Sequence, residues 1–166
     1  MIVVTPLSMV KAWEKEILKW LGRARLSPLV AMGSREEIIP NIERFVQGFY
    51  RCLLISYENF RAYATKLNGH CDLLVFDEGH RLKNNNLKTF QILANFNCKK
   101  RIILTGTPLQ NCLEELYACC DFINPGIFSS LNTFKKVFVN PILSGLKKNA
   151  TPVDQEIARY TSIPIF

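Results

Sequence analysis

The sequence predicts an α/β fold in which a parallel sheet is flanked by helices. Three observations predict it. The runs Cys52–Ser56, Leu73–Phe76 and Arg101–Thr105 are continuous and apolar, as expected of strands buried on both faces. Stretches with apolar residues at helical spacing alternate with such runs. Of the 166 residues, 48% are apolar, enough for a real core and too many for global disorder.

The elements follow in order. Ile2–Thr5 reads as a strand. Val10, Trp13, Ile17 and Trp20/Leu21 recur at helical spacing, which predicts a helix over Met9–Leu21 with one apolar face. Pro28–Ala31 fits a strand. Ser34 and Glu37 have capping-box spacing, and Pro40 is expected to limit or kink the helix they open. After the strand Cys52–Ser56 come a helix over Glu58–Leu67, the strand Leu73–Phe76, a helix over Leu87–Asn95 and the strand Arg101–Thr105. Leu113–Phe122 is a further helix, Asn124-Pro-Gly a turn, and Phe134–Val139 a short helix stopped by Pro141.

Composition narrows the function classes. The formal net charge of +7 favours a polyanionic partner or an acidic surface without proving one. The six cysteines form no C-x-x-C pair and sit among apolar residues, so buried reduced thiols suit them better than zinc ligands. No apolar run has the length of a membrane span, and the start lacks a basic leader.

Chemistry concentrates at Leu73-Leu-Val-Phe-Asp77-Glu78-Gly79-His80, where an apolar strand ends in two adjacent carboxylates. In open α/β sheets, ligands bind beyond the carboxyl ends of the strands. Nucleotide hydrolysis needs one carboxylate for the magnesium shell and another group to position the attacking water. Asp77 suits the first role and Glu78 the second. A divalent cation would help to keep two neighbouring carboxylates ionised. The next strand runs into Thr105-Gly106-Thr107-Pro108-Leu-Gln110-Asn111. Gly106 allows a tight turn, Pro108 fixes the backbone after it, and the threonine hydroxyls have the chemistry to bond the acidic pair from a neighbouring strand. Either loop alone is equally well explained as a solvated turn.

Together these segments resemble a known family. Asp77-Glu-Gly-His-Arg-Leu-Lys-Asn84 resembles motif two of helicase superfamily two in its Swi/Snf form, and Leu104-Thr-Gly-Thr-Pro-Leu-Gln-Asn111 resembles motif three. Val3-Val-Thr-Pro-Leu-Ser8 with Trp13-x-x-Glu16 and Trp20 resembles motif Ia, and Leu54-Ile-Ser-Tyr57 motif Ib. Asp121-Phe-Ile-Asn-Pro-Gly-Ile-Phe and Phe134-x-x-x-Phe138-x-x-Pro141-Ile-Leu are similar to the recombination-repair branch, the Rad fifty-four type and its B paralogue. They carry the resemblance to about residue 148.

The resemblance implies a RecA-like N-terminal ATPase lobe over residues 1–148, followed by a truncated extension over 149–166. It implies a motor that translocates on double-stranded DNA without separating strands, in the nucleus, during repair by homologous recombination. The implied cofactors are ATP and Mg2+, with Asp77 as the metal residue. The implied partners are duplex DNA, a recombinase filament and a second ATPase lobe; no membrane is implied. For the DNA side it implies Thr5, Pro6 and Ser8, Ser56 and Tyr57, and nearby Arg81 and Lys83. Each has an ordinary alternative: Ser8 as a helix cap, Tyr57 as a core edge, Arg81 and Lys83 as a solvated face.

The sequence departs from the family pattern in two respects. It has no G-x-x-x-x-G-K-S/T run, the loop that cradles phosphates, and it ends at Thr161-Ser-Ile-Pro-Ile-Phe166, where relatives continue into a second lobe. In relatives that loop precedes motif Ia, and the second lobe carries an arginine that completes the ATP site. The expectation is therefore part of a longer motor that does not hydrolyse ATP by itself. A nucleosome-remodeller lobe of the same superfamily and a non-catalytic DNA- or protein-binding module are the alternatives.

Overall fold

The computed structural model describes residues 1–79, 92, 95–106 and 113–162. The helix expected over 87–95 lies outside the described residues, apart from Ile92 and Asn95. The chain divides into two compact units, 1–106 and 107–166.

The first unit is built on a five-stranded parallel sheet: β1 (Ile2–Thr5), β2 (Pro28–Ala31), β3 (Cys52–Ser56), β4 (Leu73–Asp77) and β5 (Lys100–Leu104), in the order β2-β3-β1-β4-β5. Helix α1 (Val10–Arg25) follows β1, α2 (Arg35–Val46) follows β2, and α3 (Tyr57–Leu67) follows β3. β1 and β3 are wholly buried, which explains their lack of apolar–polar alternation. One layer of the core packs Val3, Leu54 and Val75 from three strands against Val10 and Ile17 of α1. In another, Phe60 and Tyr57 of α3 meet the ring of Phe76 edge-on, at 5.5 and 5.6 Å between centroids.

Three expectations about this unit are corrected. β5 is not buried on both faces: it alternates between exposed and half-buried, with Ile102 43% and Leu104 40% exposed. Its apolar run has the composition of an interior strand, but among the described residues it lies at the sheet edge. Pro40 does not end α2, which runs on to Val46. Buried Ile38, Ile42 and Phe45 hold the helix against the sheet on both sides of the proline, so packing outweighs the one hydrogen bond lost. The expected end of α1 at Leu21 matches a break rather than a terminus. Gly22 leaves the helical region (φ 69°, ψ 158°), and a last turn continues to Arg25.

The second unit contains α4 (Leu113–Ile123), α5 (Leu131–Phe134), a π-helical turn (Lys135–Val139), α6 (Asn140–Gly145) and α7 (Pro152–Ser162). Phe134 is fully buried, with the rings of Tyr117, Phe128 and Phe138 around it at 5.1–5.3 Å. Asn124-Pro-Gly is a turn as expected, with Gly126 at φ 82° and the Ile127 N–H donating to the Asn124 carbonyl. Pro141 does not stop a helix here but sits in the first turn of α6. The π turn widens the spiral just before it, where the Asn140 N–H donates to Lys135.

Of the cysteines, Cys52, Cys71 and Cys98 are buried, Cys119 and Cys120 are half-buried, and all five carry free thiols. Cys112 lies outside the described residues.

Candidate functional site

The site forms where the parallel strands end. β1 and β4 are neighbours with Val4 opposite Phe76, so Thr5 comes level with Asp77. The Thr5 hydroxyl donates to Asp77 Oδ2 at 2.9 Å, and the indole N–H of Trp13, on α1, donates to the same oxygen at 2.8 Å. The Glu78 amide donates to Asp77 Oδ1 at 3.0 Å. Below the carboxylate, the Tyr57 hydroxyl donates to the Asp77 carbonyl and, at 3.3 Å, to the Glu78 carbonyl.

A carboxylate offers about four acceptor positions. Among the described residues, donors occupy three of them, and the open one lies on Oδ1. The carboxylate is therefore held in one orientation by donors from β1, α1 and its own following residue. Glu78 turns out of the strand in the left-handed region (φ 54°), which costs a non-glycine residue roughly 1–2 kcal/mol. Gly79 follows, buried against β5; a Cβ there would lie 2.2 Å from Ile103 Cγ2. The sharp turn after Asp77 therefore needs glycine at its third position.

An open cleft of about 730 Å³ lies along the same sheet edge, lined by Pro6, Leu7, Ser8, Met32, Gly33, Ser56, Glu58 and Asn59. It gathers the starts of three helices. Leu7–Met9 forms a 3₁₀ turn leading into α1, Ser34 caps α2, and Ser56 caps α3 by accepting the Asn59 N–H at 3.2 Å. Helix starts carry partial positive charge and suit anions. Glu58 opposes this in part, and Arg61 lies 4.0 Å from its carboxylate. Asn59 and Asn41 donate to carbonyls of β2 and pin α3 and α2 to the sheet.

The expected site residues divide into three groups. Asp77, Glu78 and Gly79 stand together at the end of β4, and Thr105 and Gly106 follow β5, whose Leu104 is level with Asp77. Among the described residues, the hydroxyl that donates to the Asp77 carboxylate is that of Thr5 of β1. Pro6, Ser8, Ser56 and Tyr57 adjoin the cleft or the acidic turn, but their side chains face different ways. Thr5, Ser56 and Tyr57 are buried, with their hydroxyls engaged inside the protein, whereas Ser8 is exposed. Ser8 caps neither the 3₁₀ turn nor α1 by its side chain. His80, Arg81, Lys83, Thr107, Pro108, Gln110 and Asn111 lie outside the described residues.

Sequence pattern places Trp13 on the apolar face of α1 and gives no sign of its bond to Asp77. The signal available is chemical. A tryptophan next to a core needs an acceptor for its N–H, and its helix starts beside the strand that neighbours the acidic pair.

The donor set fits a hydrated Mg2+, a hard cation that keeps several waters and takes carboxylate oxygens. Asp77 Oδ1 is the oxygen available to it. The phosphates of a nucleotide find no glycine-rich cradle of the usual pattern in this sequence.

The model of the SNF2-related domain matches residues 1–162. The chain is 41% identical to the DNA repair and recombination protein RAD54 of Oryza sativa subsp. japonica, over 97% of its own length and 17% of that protein's. It is 42% identical to human RAD54B, over 94% and 17% of the two lengths, and 38% identical to the DNA repair protein rhp54 of Schizosaccharomyces pombe, over 93% and 19%. The chain thus spans less than a fifth of the length of these relatives. Among solved structures, it resembles the SWI2/SNF2 ATPase core of Sulfolobus solfataricus in complex with double-stranded DNA. The TM-score is 0.68 at 28% identity, covering 97% of this chain and 32% of that one. The parallel sheet, the acidic turn after β4 and the match over nearly the whole chain agree: the chain belongs to the SNF2-related domain family.

Proposed function

We propose that this chain provides the first-lobe machinery of an ATP-driven translocase on double-stranded DNA, acting in the nucleus in repair by homologous recombination. Residues 1–148 are the lobe proper and 149–166 its extension toward a second ATPase lobe. A recombinase filament is the proposed protein partner, and these 166 residues are proposed not to turn ATP over by themselves. The observation that carries the reading is the shared edge. The acidic turn and the cleft at the helix starts lie at the same end of one sheet, joined through Thr5 and Tyr57.

In this reading Asp77 holds a water of the Mg2+ shell through Oδ1, and Glu78 orients the attacking water and takes its proton. Bound Mg2+ and ATP supply the phosphoryl group and the charge that offsets its transfer. Thr105, Gly106, Thr107, Pro108, Gln110 and Asn111 link nucleotide state to DNA grip. Ser8 and the backbone N–H groups of the Pro6–Ser8 segment meet phosphates, with Arg81 and Lys83 adding charge. Thr5, Ser56 and Tyr57 shape the cleft from beneath, since their hydroxyls are engaged internally.

The test is a salt titration of binding to two duplexes of unrelated sequence, for the wild type and for Arg81→Ala/Lys83→Ala. Contacts to phosphates predict equal affinity for both duplexes and a log–log slope of about −0.9 per neutralised phosphate, flatter in the double variant. Salt-independent binding, or a strong preference between the duplexes, overturns the reading.

A further inference from the structure

We propose that Trp13 and Thr5 are positioning residues for Asp77, fixing which oxygen of its carboxylate is offered to a divalent cation. The inference rests on the motor reading above and concerns the same acidic turn. Its basis is the set of hydrogen bonds around one carboxylate. Oδ2 receives the Thr5 hydroxyl at 2.9 Å and the Trp13 indole N–H at 2.8 Å, which fills both of its acceptor positions. Among the described residues, Oδ1 receives only the Glu78 amide, at 3.0 Å. A metal-bound water can therefore approach Oδ1 and not Oδ2. Without either side-chain donor, Oδ2 would compete for the cation and the carboxylate would turn more freely.

Packing alone does not account for this arrangement. Trp13 is only half-buried, while Thr5 is fully buried and places its one donor on a charged acceptor. The two donors also flank the cleft-lining Pro6–Ser8 segment: Thr5 ends β1 just before it, and Trp13 lies in the first turn of α1 just after it. Supporting donors that orient a metal-holding group typically change metal affinity by about 10–100-fold when removed.

The experiment uses the full chain, labelled with nitrogen-15, and Mn2+ alone as a paramagnetic probe. Three N–H signals report. The Glu78 amide and the Trp13 indole both contact Asp77. The Trp20 indole donates to exposed Glu16 at 2.8 Å and serves as the control. In the wild type, Mn2+ is expected to broaden the first two signals at concentrations that spare the third, and Asp77→Asn should abolish this. Thr5→Val and Trp13→Phe should each raise the Mn2+ concentration that half-broadens the Glu78 amide by about tenfold. Thr5→Ser should restore the wild-type value, because it returns the hydroxyl. A dispersed amide spectrum confirms that each variant is folded, and if Trp13→Phe does not fold, the Val and Ser variants of Thr5 decide the matter. Folded Thr5→Val that responds to Mn2+ like the wild type overturns the proposal. So does a wild type whose Glu78 and Trp13 signals ignore Mn2+ or broaden no earlier than Trp20. The motor reading stands or falls separately, on the salt titration with duplex DNA, which does not depend on Asp77.

Discussion

Asp77 and Glu78 are adjacent carboxylates with different proposed roles. Among the described residues, Asp77 is fixed by three hydrogen bonds, and Glu78 follows it with its backbone in the left-handed region. In a complete motor carrying a phosphate loop and a second lobe, Glu78→Gln should keep ATP binding and nearly abolish turnover. Asp77→Asn should also weaken magnesium-dependent binding. Nucleotide-binding and single-turnover assays separate the two, and near-normal hydrolysis by Glu78→Gln would sink the water-positioning role. The buried thiols make a second prediction. Burial, and the Cys98 thiol 3.9 Å away, push Cys71 up to about 12, and burial pushes Cys52 up to about 11, from an ordinary 9.0. The fold favours the neutral thiol. Below pH 9 both folded and unfolded chains carry it, and its contribution to stability is complete. As pH rises past 9 the unfolded chain loses the proton first, so stability falls until the folded thiols ionise as well. Urea melts between pH 8 and 11 should show this decline. It should be shallower in Cys71→Ala, by at most about 1.4 kcal/mol per pH unit. An equal decline in both proteins would assign it to other groups.

Helix α2 shows local sequence at work. Ser34 and Glu37 form the reciprocal capping box, with the Glu37 carboxylate accepting the Ser34 N–H at 2.8 Å. Ser34→Ala should cost about 1 kcal/mol in a thermal or urea melt. Gly33 precedes the cap at φ 109°, and a Cβ there would stand 2.0 Å from Glu37 Oε2. Gly33→Ala should therefore cost more than Ser34→Ala, because it strains the backbone and displaces the capping carboxylate as well. If Gly33→Ala melts like the wild type, the cap is not what orders this cleft wall. β5 poses the opposite problem. It is an edge strand among the described residues, and it shows Ile102 and Leu104 to solvent. Flat apolar edges invite pairing with another chain. The isolated chain should self-associate, and Ile102→Lys should reduce that in sedimentation velocity. A monomeric wild type with a single cooperative melt would overturn this and favour a self-sufficient binding module.

At the scale of the whole molecule, the net charge of +7 and the alternation of strands and helices are plain from composition and pattern. So are the strand ending in two carboxylates, the capping box and the positions of nearly every element, because each depends on residues close together in sequence. Periodicity reports which face of an element is apolar, and adjacent glycines, prolines and caps report where it stops. Partners 64 and 72 residues from Asp77 are invisible to such patterns. Only the strand order β1-β4 brings Thr5 to Asp77, and only the path of α1 over that edge brings Trp13 there. The same order decides that β5, with the composition of an interior strand, lies at an edge among the described residues. Tertiary packing likewise carries α2 through Pro40, and turns the Thr5, Ser56 and Tyr57 hydroxyls inward where the motif pattern alone allows them to face a phosphate. The sequence by itself thus determined the family, the elements and the acidic pair, since these rest on local chemistry. The tertiary structure decided which donors hold that pair, because hydrogen-bond partners are assigned by the distances between strands and helices.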